Sequence, residues 1–199
     1  MPTAGRPKMA EFAVGSFQYQ SYPDRELIIL DDTDSPSFPD GIQAYGIRYY
    51  AQSGGTIGLK RNICCELAKG EVIVHFDDDD CSGPGRIADQ VARMLATGSP
   101  VTGYNAMKFR EGEQWWKYTG SQHYALGTSL CYRKWFWERT RFNELGHLPD
   151  GTLVPDELGF VATASRCITS VDAGDMMWAS IHTGNSSPRR TSGAQWVKL

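Results

Sequence analysis

No stretch of this sequence offers the roughly 20 consecutive apolar residues that a membrane-spanning helix requires. Its opening, MPTAGRPKMAE, also lacks the apolar core of a secretory signal. The formal net charge is only -3, so no overall positive field draws the chain onto nucleic acid or an anionic membrane. These absences predict a cytoplasmic protein with no stable membrane insertion.

Disulfide and zinc patterns are missing as well. The five cysteines are odd in number, and they form neither a C-x-x-C pair nor a Cys/His spacing typical of zinc sites. We interpret them as reduced thiols, most of them buried. The 199 residues also show no internal repeat and no low-complexity linker, so we expect a single domain over 1–199.

What the sequence does contain is an alternation of helix and strand patterns in its first half. The periodicity predicts helices over 7–18, 57–70 and 82–98, and buried strands over 26–32 and 71–80. The apolar stripes of the three helices are expected to face inward: Met9, Phe12, Ala13 and Phe17 in the first, Ile63, Cys64, Leu67 and Ala68 in the second, and Ile87, Val91, Met94 and Leu95 in the third. That order of elements is typical of an α/β fold with a mostly parallel central sheet flanked by helices, with a Rossmann-like N-terminal half. The second half is less regular, with predicted strands at 101–109, 113–120, 168–173 and 176–185, a short strand running into a helix over 125–142, a helix within 155–167, and loop from 186 onward.

Four consecutive aspartates, Asp77 to Asp80, end the second buried strand. Like charges at this spacing repel one another unless water solvates them or a cation neutralises them. The first buried strand also ends in acid, at Asp31 and Asp32, and parallel strands gather their carboxyl ends at one ligand-binding edge. Because strand positions i and i+2 point the same way, Asp77 and Asp79 are expected to face one site. A solvated acidic turn is the alternative, but two acidic strand ends favour a site for Mg²⁺ or Mn²⁺.

Four further residues are candidates for the same site. Arg61 lies at the start of a predicted helix, where it could pair with a phosphate or with a carboxylate. His182 ends a late strand and could complete a metal shell, although a lone histidine is more often structural. Asp156 and Glu157 open a helix, where the dipole favours acids whatever their function, and either could act as a general base.

Taken in order, the motifs of this chain resemble family 2 of the inverting glycosyltransferases, which have the GT-A fold. The matching segments are PTAGR at 2–6, ELIILDD at 26–32, GLKRN at 58–62, GEVIVHFDDDD at 70–80, GTSLCYRKWFW at 127–137, DELGF at 156–160 and IHTGN at 181–185. Each motif is weak alone, whereas the ordered set covers nearly the whole chain. The resemblance implies a nucleotide-sugar-binding half over about 1–100 and an acceptor-binding half over about 101–199.

The resemblance implies roles for residues of the nucleotide pocket. Thr3 and Arg6 match an opening loop that touches the nucleotide. Asp32, together with Asp31, matches the acid that reads the uracil base, and Arg61 matches an arginine of the same pocket. Members of the family usually carry an apolar strand just before the PT motif, whereas here the sequence starts at Met1. We therefore expect either a sheet without its first strand or a truncated start.

The metal site is implied by the D-x-D motif. Asp77 and Asp79 match its two acids, of which the first holds the ribose side and the last holds a metal that bridges the diphosphate. Asp78, between them, falls in the donor pocket. His182 matches a late histidine that contacts metal or phosphate in many members. The implied cofactor is Mn²⁺ or Mg²⁺, with Asp79, Asp77 and His182 as its ligands.

The implied reaction is the transfer of a sugar, with inversion, from a UDP-linked donor to an acceptor hydroxyl. Glu157 falls where the family's catalytic aspartate usually lies, with Asp156 as the second choice, and Trp115 and Trp116 are expected to line the acceptor cleft. The acceptor is expected to be a glycan or small molecule, with a modified base in DNA as an alternative. A nucleotidyltransferase and a non-catalytic sugar-nucleotide-binding domain also stay open.

Overall fold

The computed structural model describes residues 1–39, 41–42, 44–146, 156, 158–185, 189 and 191–199. Its helices are α1 (Pro7–Gln18), α2 (Ile57–Leu67), α3 (Arg86–Thr97), α4 (Lys134–Thr140) and α5 (Leu158–Ala164). Its strands are β1 (Pro2–Thr3), β2 (Leu27–Asp31), β3 (Ile47–Ala51), β4 (Val72–Val74), β5 (Cys81–Ser82), β6 (Val101–Glu111), β7 (Gln114–Thr119), β8 (Cys131–Arg133), β9 (Ile168–Asp172), β10 (Met177–Ser180) and β11 (Trp196–Lys198). A single 3-10 turn covers Gly127–Ser129.

The strands form two sheets. The first has the order β1-β2-β3 and is parallel throughout, because helical or looped crossovers join its strands. The second is mixed: β6 pairs in parallel with β9 and β10 and antiparallel with β7 and β8. β4, which leads into the aspartates, joins this second sheet through β8. The predicted α/β class is confirmed, and the parallel ladders of the first sheet lie in the predicted N-terminal half.

Helices α1 and α3 bury only part of the apolar stripe that their periodicity predicts. In α1 the buried residues are Ala10, Ala13, Val14 and Phe17, while Met9 and Phe12 of the predicted stripe are exposed. In α3 the buried set includes Ile87, Val91 and Met94, while Leu95 is exposed. Both helices pack with β2 and β4 around one apolar cluster. That cluster therefore fixes where β2 and β4 end relative to each other.

Helix α2 buries a different face from the one predicted. The apolar stripe of Ile63, Cys64, Leu67 and Ala68 is only half-buried, and the buried residues are Gly58, Lys60, Arg61, Asn62 and Cys65. Gly58 is required at the contact, because a Cβ there would lie 1.8 Å from the carbonyl oxygen of Asn143. The buried face of α2 is polar because it supports the candidate site described below.

Four short strands are not predicted from the sequence: β1, β3, β5 and β11. β11 lies in the C-terminal segment for which the sequence predicts loop. β11 pairs antiparallel with β7, and Trp196 packs against Phe109 and Tyr118 with ring centroids 4.9 and 5.1 Å apart. All five cysteines are free thiols. Over the described part of the chain, no helix is long and apolar enough to cross a membrane.

A cavity of about 820 Å³ lies between β2 and β4. Its lining includes Leu27 and Ile28 of β2, Val72 and Val74 of β4, and the side chain of Met1. The amino group of Met1 is buried beside it and donates to the carbonyl oxygen of Ile28 at 2.7 Å. β1 is therefore a short extension of the first sheet, and the two sheets meet across this cavity.

Candidate active site

The four aspartates follow β4 but do not continue it as a strand. β4 ends at Val74, residues 75–77 are irregular, and Asp78 and Asp79 form a turn. The expectation that Asp77 and Asp79 share one face therefore does not hold, because strand alternation ends before them. Each carboxylate instead points to a different set of partners, drawn from distant parts of the chain.

Asp77 faces helix α2. The guanidinium of Arg61 lies 3.3 Å from Asp77 Oδ2, and its other terminal nitrogen donates to Asp156 Oδ2 at 2.7 Å. Burial acts to raise the pKa of Asp77, but the positive charge of Arg61, together with smaller effects of His75 and Thr128, outweighs it and brings the pKa to about 2. Arg61 therefore joins two acids that lie far apart in sequence, and it holds Asp77 in its charged form.

Asp78 and Asp79 share the guanidinium of Arg6. Arg6 contacts Asp78 Oδ1 and Asp79 Oδ2, each at 3.1 Å, and the hydroxyl of Thr3 donates to Asp78 Oδ2 at 2.6 Å. Burial raises the pKa of Asp78 to about 6, although Thr3 and Arg6 act in the opposite direction. The PT motif of the first sheet and the aspartate turn after β4 of the second sheet thus meet at one edge.

Asp79 also contacts the segment that follows β10. Its Oδ2 lies 3.0 Å from His182 Nε2 and accepts a hydrogen bond from Asn185 Nδ2 at 3.2 Å. The other ring nitrogen of His182 accepts from the backbone N–H of Gly184 at 3.1 Å. The structure therefore brings Asp79 and His182 together, and it adds Asn185, which sequence reasoning missed although it lies in the same IHTGN motif.

Asp80 is buried and faces inward. Its carboxylate accepts a hydrogen bond from the hydroxyl of Thr128, and its Oδ1 accepts from the backbone N–H of Ser180 at 3.2 Å. Burial raises its pKa to about 7, and the charges of Asp77 and Asp79 act in the same direction. The aspartate cluster is thus divided: three carboxylates line the sheet edge and the fourth supports it from behind.

The two acids at the end of β2 have different surroundings. Asp31 is 0% exposed, and its Oδ2 accepts hydrogen bonds from the backbone N–H of Ser37 and from the hydroxyl of Tyr49, both at 2.7 Å. Burial raises the pKa of Tyr49 to about 12, and its contact with Asp31 adds to the rise. The prediction that Asp31 reads a base does not fit this geometry, because its carboxylate anchors the loop after β2.

Asp32 lies at the edge, next to helix α2. Its Oδ2 is 3.1 Å from Lys60 Nζ, and its Oδ1 accepts from the backbone N–H of Gly54. Burial acts to raise the pKa of Asp32, but the bonds from Gly54 and Lys60 outweigh it and lower the pKa. Lys60 is not among the predicted site residues. Its place next to Arg61 in the GLKRN motif is the signal that the sequence offers.

Of the two candidate general bases, the structure describes Asp156. Asp156 is buried, contacts Arg61, and its carbonyl oxygen accepts from the N–H of Asn143 at 2.9 Å. Asp156 is therefore linked to Asp77 through Arg61, which contacts both carboxylates. Glu157 lies outside the described residues, so its role stays a prediction.

The adjacent tryptophans of β7 point to opposite faces, as strand alternation requires. Trp116 packs against the apolar cluster of β6 and β10. Trp115 lies on the other face, 5.3 Å from the ring of Trp178, with the Arg110 guanidinium 5.8 Å from its ring centroid. Of the two predicted acceptor residues, Trp115 has the surroundings that suit a ligand contact, while Trp116 has those of a core residue.

The residues at the edge fit a divalent metal in part. Asp79 Oδ2 and His182 Nε2 lie 3.0 Å apart, and Mn²⁺ or Mg²⁺ commonly takes one or two such ligands and completes its shell with phosphate and water. Because His182 Nδ1 accepts from Gly184, Nε2 carries the ring proton, which a metal bound between the two side chains would replace. Over the residues that the structure describes, no group of three or more His, Cys, Asp or Glu side chains could hold a metal ion alone. Asp77, predicted as a third ligand, faces Arg61 instead.

In open α/β sheets, ligands bind beyond the carboxyl ends of the strands, and the carboxylates of Asp32 and of the turn after β4 lie at such an edge with Lys60 and Arg6 between them. A family model described as glycosyl transferase family 2 matches residues 1–166, and the chain therefore belongs to that family. The predicted family and GT-A fold are confirmed by this match. Among curated protein sequences, no significant match was found.

Solved structures with the same fold include those of S. aureus TarS. TarS 1–349 in complex with UDP is 19% identical, with a TM-score of 0.69 over 90% of this chain and 59% of that one. The complex of TarS 1–349 with UDP-GlcNAc is 17% identical, with a TM-score of 0.72 over 96% of this chain and 61% of that one. The chain thus spans about three-fifths of the length of these structures, and the likeness shows the fold.

Proposed function

We propose that this chain is a glycosyltransferase that moves a sugar from a UDP-linked donor to an acceptor hydroxyl with inversion, assisted by Mn²⁺ or Mg²⁺. The observation that carries the proposal is the meeting of Asp79, His182 and Arg6 at one sheet edge, which is also the edge where β2 ends in Asp32. Family membership and the UDP and UDP-GlcNAc complexes of TarS support a nucleotide-sugar donor.

The donor would lie across the ends of β1, β2 and β4. Asp32 and Lys60 present a carboxylate and an ammonium group for the nucleobase end, and Arg6 presents a guanidinium that can turn from Asp78 and Asp79 toward a diphosphate. A metal held by Asp79 and His182 would stabilise the negative charge that builds on the leaving diphosphate. A nucleotide placed in this way has its sugar directed toward the second sheet.

The remaining step is deprotonation of the acceptor hydroxyl as it attacks the anomeric carbon from the face opposite the leaving group. The carboxylate of Asp156 is buried and already accepts from Arg61 at 2.7 Å. We therefore assign the role of base to Glu157, with Asp156 as the second choice. Trp115 is the proposed acceptor contact, and one displacement at the anomeric carbon gives inversion.

The deciding experiment is thermal unfolding with UDP, Mn²⁺ or both, for the parent chain and Asp79→Ala. A ligand that binds only the folded state raises the melting temperature by mass action. We expect a rise with UDP and Mn²⁺ together in the parent and none in Asp79→Ala. The control Asp175→Ala, at a position 94% exposed, should respond like the parent. An equal rise in all three proteins would refute the metal assignment.

Turnover separates the remaining alternatives. Incubation with UDP-sugars should release UDP, and release of pyrophosphate from a nucleoside triphosphate would instead indicate a nucleotidyltransferase. Stabilisation by UDP-sugars without any turnover, and with no effect of Glu157→Gln, would indicate a binding domain. The acceptor panel contains glycans, small alcohols and hydroxymethylated DNA, and the acceptor that gains the sugar identifies the substrate class.

A further inference from the structure

Asp80 differs from its three neighbours in what it contacts. Asp77, Asp78 and Asp79 face arginine side chains, whereas Asp80 is held by the hydroxyl of Thr128 and the backbone N–H of Ser180. It is also 3% exposed, so a donor nucleotide at the sheet edge has no access to it. A buried acid of this kind acts on the site only through the groups that it holds.

The bond to Ser180 helps to hold the segment that carries His182. β10 pairs antiparallel with β5 only as far as Trp178 and Cys81, and on that side the ladder stops there. On its other side β10 pairs with β6 as far as Ser180 and Arg110, and the N–H of Ile181 donates to the Arg110 carbonyl oxygen at 2.8 Å. The Asp80 carboxylate accepts a hydrogen bond from the N–H of Ser180, two residues before His182. His182 Nε2 in turn lies 3.0 Å from Asp79 Oδ2. Adjacent acids, Asp79 and Asp80, thus fasten the same segment at two points, one at its last strand residue and one at the imidazole.

Arg86 supports this arrangement from within the core. It is 0% exposed and donates to the carbonyl oxygens of His75 and Thr128 at 2.7 and 3.1 Å, and to the hydroxyl of Ser82 at 2.7 Å. Thr128 therefore accepts from Arg86 through its carbonyl and donates to Asp80 through its hydroxyl. The result is a continuous buried chain from Arg86 through Thr128 and Asp80 to Ser180.

We propose that Asp80 is a positioning residue that, through Ser180, holds His182 against Asp79 so that the two side chains can bind a divalent cation together. The inference deepens the proposed function and rests on it for the identity of the cation. The geometric part of the inference is independent of the proposed function, since the hydrogen bonds of Asp80 exist without a ligand. Partners that orient metal ligands in this way commonly change metal affinity about 10- to 100-fold when they are removed.

The test compares Asp80→Asn with Asp80→Ala. The amide oxygen of Asn can still accept from the Ser180 N–H, and its NH₂ can donate to the Thr128 hydroxyl after that hydroxyl rotates, so position is retained while charge is lost. Ala retains neither bond. We measure Mn²⁺ affinity in the presence of UDP by electron paramagnetic resonance, and the ring signals of His182 in the metal-free protein by NMR, assigned with His182→Gln.

We expect Asp80→Asn to keep near-parental affinity and His182 signals, and Asp80→Ala to lose about tenfold or more in affinity with shifted His182 signals. Parental values in Asp80→Ala, or equal losses in both variants, would overturn the inference. If the parent itself fails to bind Mn²⁺ with UDP, the proposed function fails, and the His182 signals alone decide the positioning role. Should Asp80→Ala not fold, Thr128→Val must shift the His182 signals in the same direction.

Discussion

At the scale of single residues, the aspartate cluster is stable because its charges are separated and paired. Arg61 forms an ion pair with Asp77, Arg6 pairs with Asp78 and Asp79, and buried hydrogen bonds hold Asp80. The sequence predicts that four adjacent acids need compensation, and it places them correctly at a strand end. It cannot show the compensating groups, because those lie up to 106 residues away and only the fold brings them together.

Asn62 shows how a single side chain can hold a site element in place. It is 0% exposed, donates to the carbonyl of Phe142 at 3.0 Å and to Glu144, and accepts from Trp137 Nε1 at 2.8 Å and from Phe142 N–H at 3.0 Å. Every hydrogen-bonding group of the amide is thus in use. The segment after α4 is anchored to α2 by this residue, directly beside Arg61.

We expect Asn62→Ala to lower the free energy of unfolding by about 3 kcal/mol, because it leaves buried Trp137 and Phe142 groups without partners. Urea titration measures the change. Asn105→Ala is the matched control, since the Asn105 amide makes one exposed bond to the carbonyl of Ser121, and it should cost well under 1 kcal/mol. Equal losses in the two variants would contradict the anchoring role.

At the scale of elements, long amphipathic segments were predicted well and short or polar ones were not. The helix over 7–18 coincides with α1, and β6 and β7 lie where strands were expected. β3 and β11 are not predicted because both are edge strands with few fully buried residues, so neither shows a buried apolar run. The buried face of α2 was predicted wrongly because burial there serves Lys60, Arg61 and Asn62, which pattern reasoning assigns to solvent.

The ends of β2 and α2 are joined by a carboxylate, which makes their connection sensitive to pH. Glu26, just before β2, pairs with Arg48 at 2.6 Å and accepts from the N–H groups of Lys69 and Gly70, just after α2. Burial acts to raise the pKa of Glu26, but the Lys69 and Arg48 bonds outweigh it and lower the pKa below 4.5. Because the pKa is lower in the folded state, the charged form stabilises the fold.

Glu26→Gln is therefore expected to cost about 1 kcal/mol at pH 7 and progressively less as the pH falls below the unfolded value of about 4.3. The stability of the parent should fall over the same range, since protonation breaks the same bonds. Urea titrations at pH 7 and pH 3 measure both. Glu71→Gln, at a position 93% exposed, should show little change at either pH. A cost for Glu26→Gln that did not change with pH would refute the charge argument.

At the scale of the whole molecule, the site lies where two sheets meet. β1 and β2 bring Thr3 and Asp32 from the first sheet, and β4 and β10 bring the aspartates and His182 toward them from the second. The fold class and the shared acidic edge followed from the sequence. The division into two sheets did not, because it depends on which strand edges find hydrogen-bond partners, and that is decided by packing across the whole chain.

The cavity between β2 and β4 is the weakest part of that junction. Apolar side chains of both strands line it, and the Met1 amino group makes a bond to Ile28 of the kind that a parallel strand would make. A strand of about five residues placed there would bury apolar surface from both sheets and supply ladder bonds to β2. An extension of alternating Val and Ile fused ahead of Met1 has the geometry to enter it.

We expect such an extension to raise the melting temperature by roughly 2–4 °C or more. A net gain of about 1 kcal/mol in the free energy of unfolding, after the cost of ordering the added residues is subtracted, shifts the melting temperature of a domain of this size by that amount. A Gly-Ser extension of equal length is the control and should leave the melting temperature unchanged. If the two extensions have the same effect, the cavity does not limit the stability of the junction. If only the apolar extension raises the melting temperature, it should also strengthen UDP binding, because β1 and β2 carry Thr3 and Asp32.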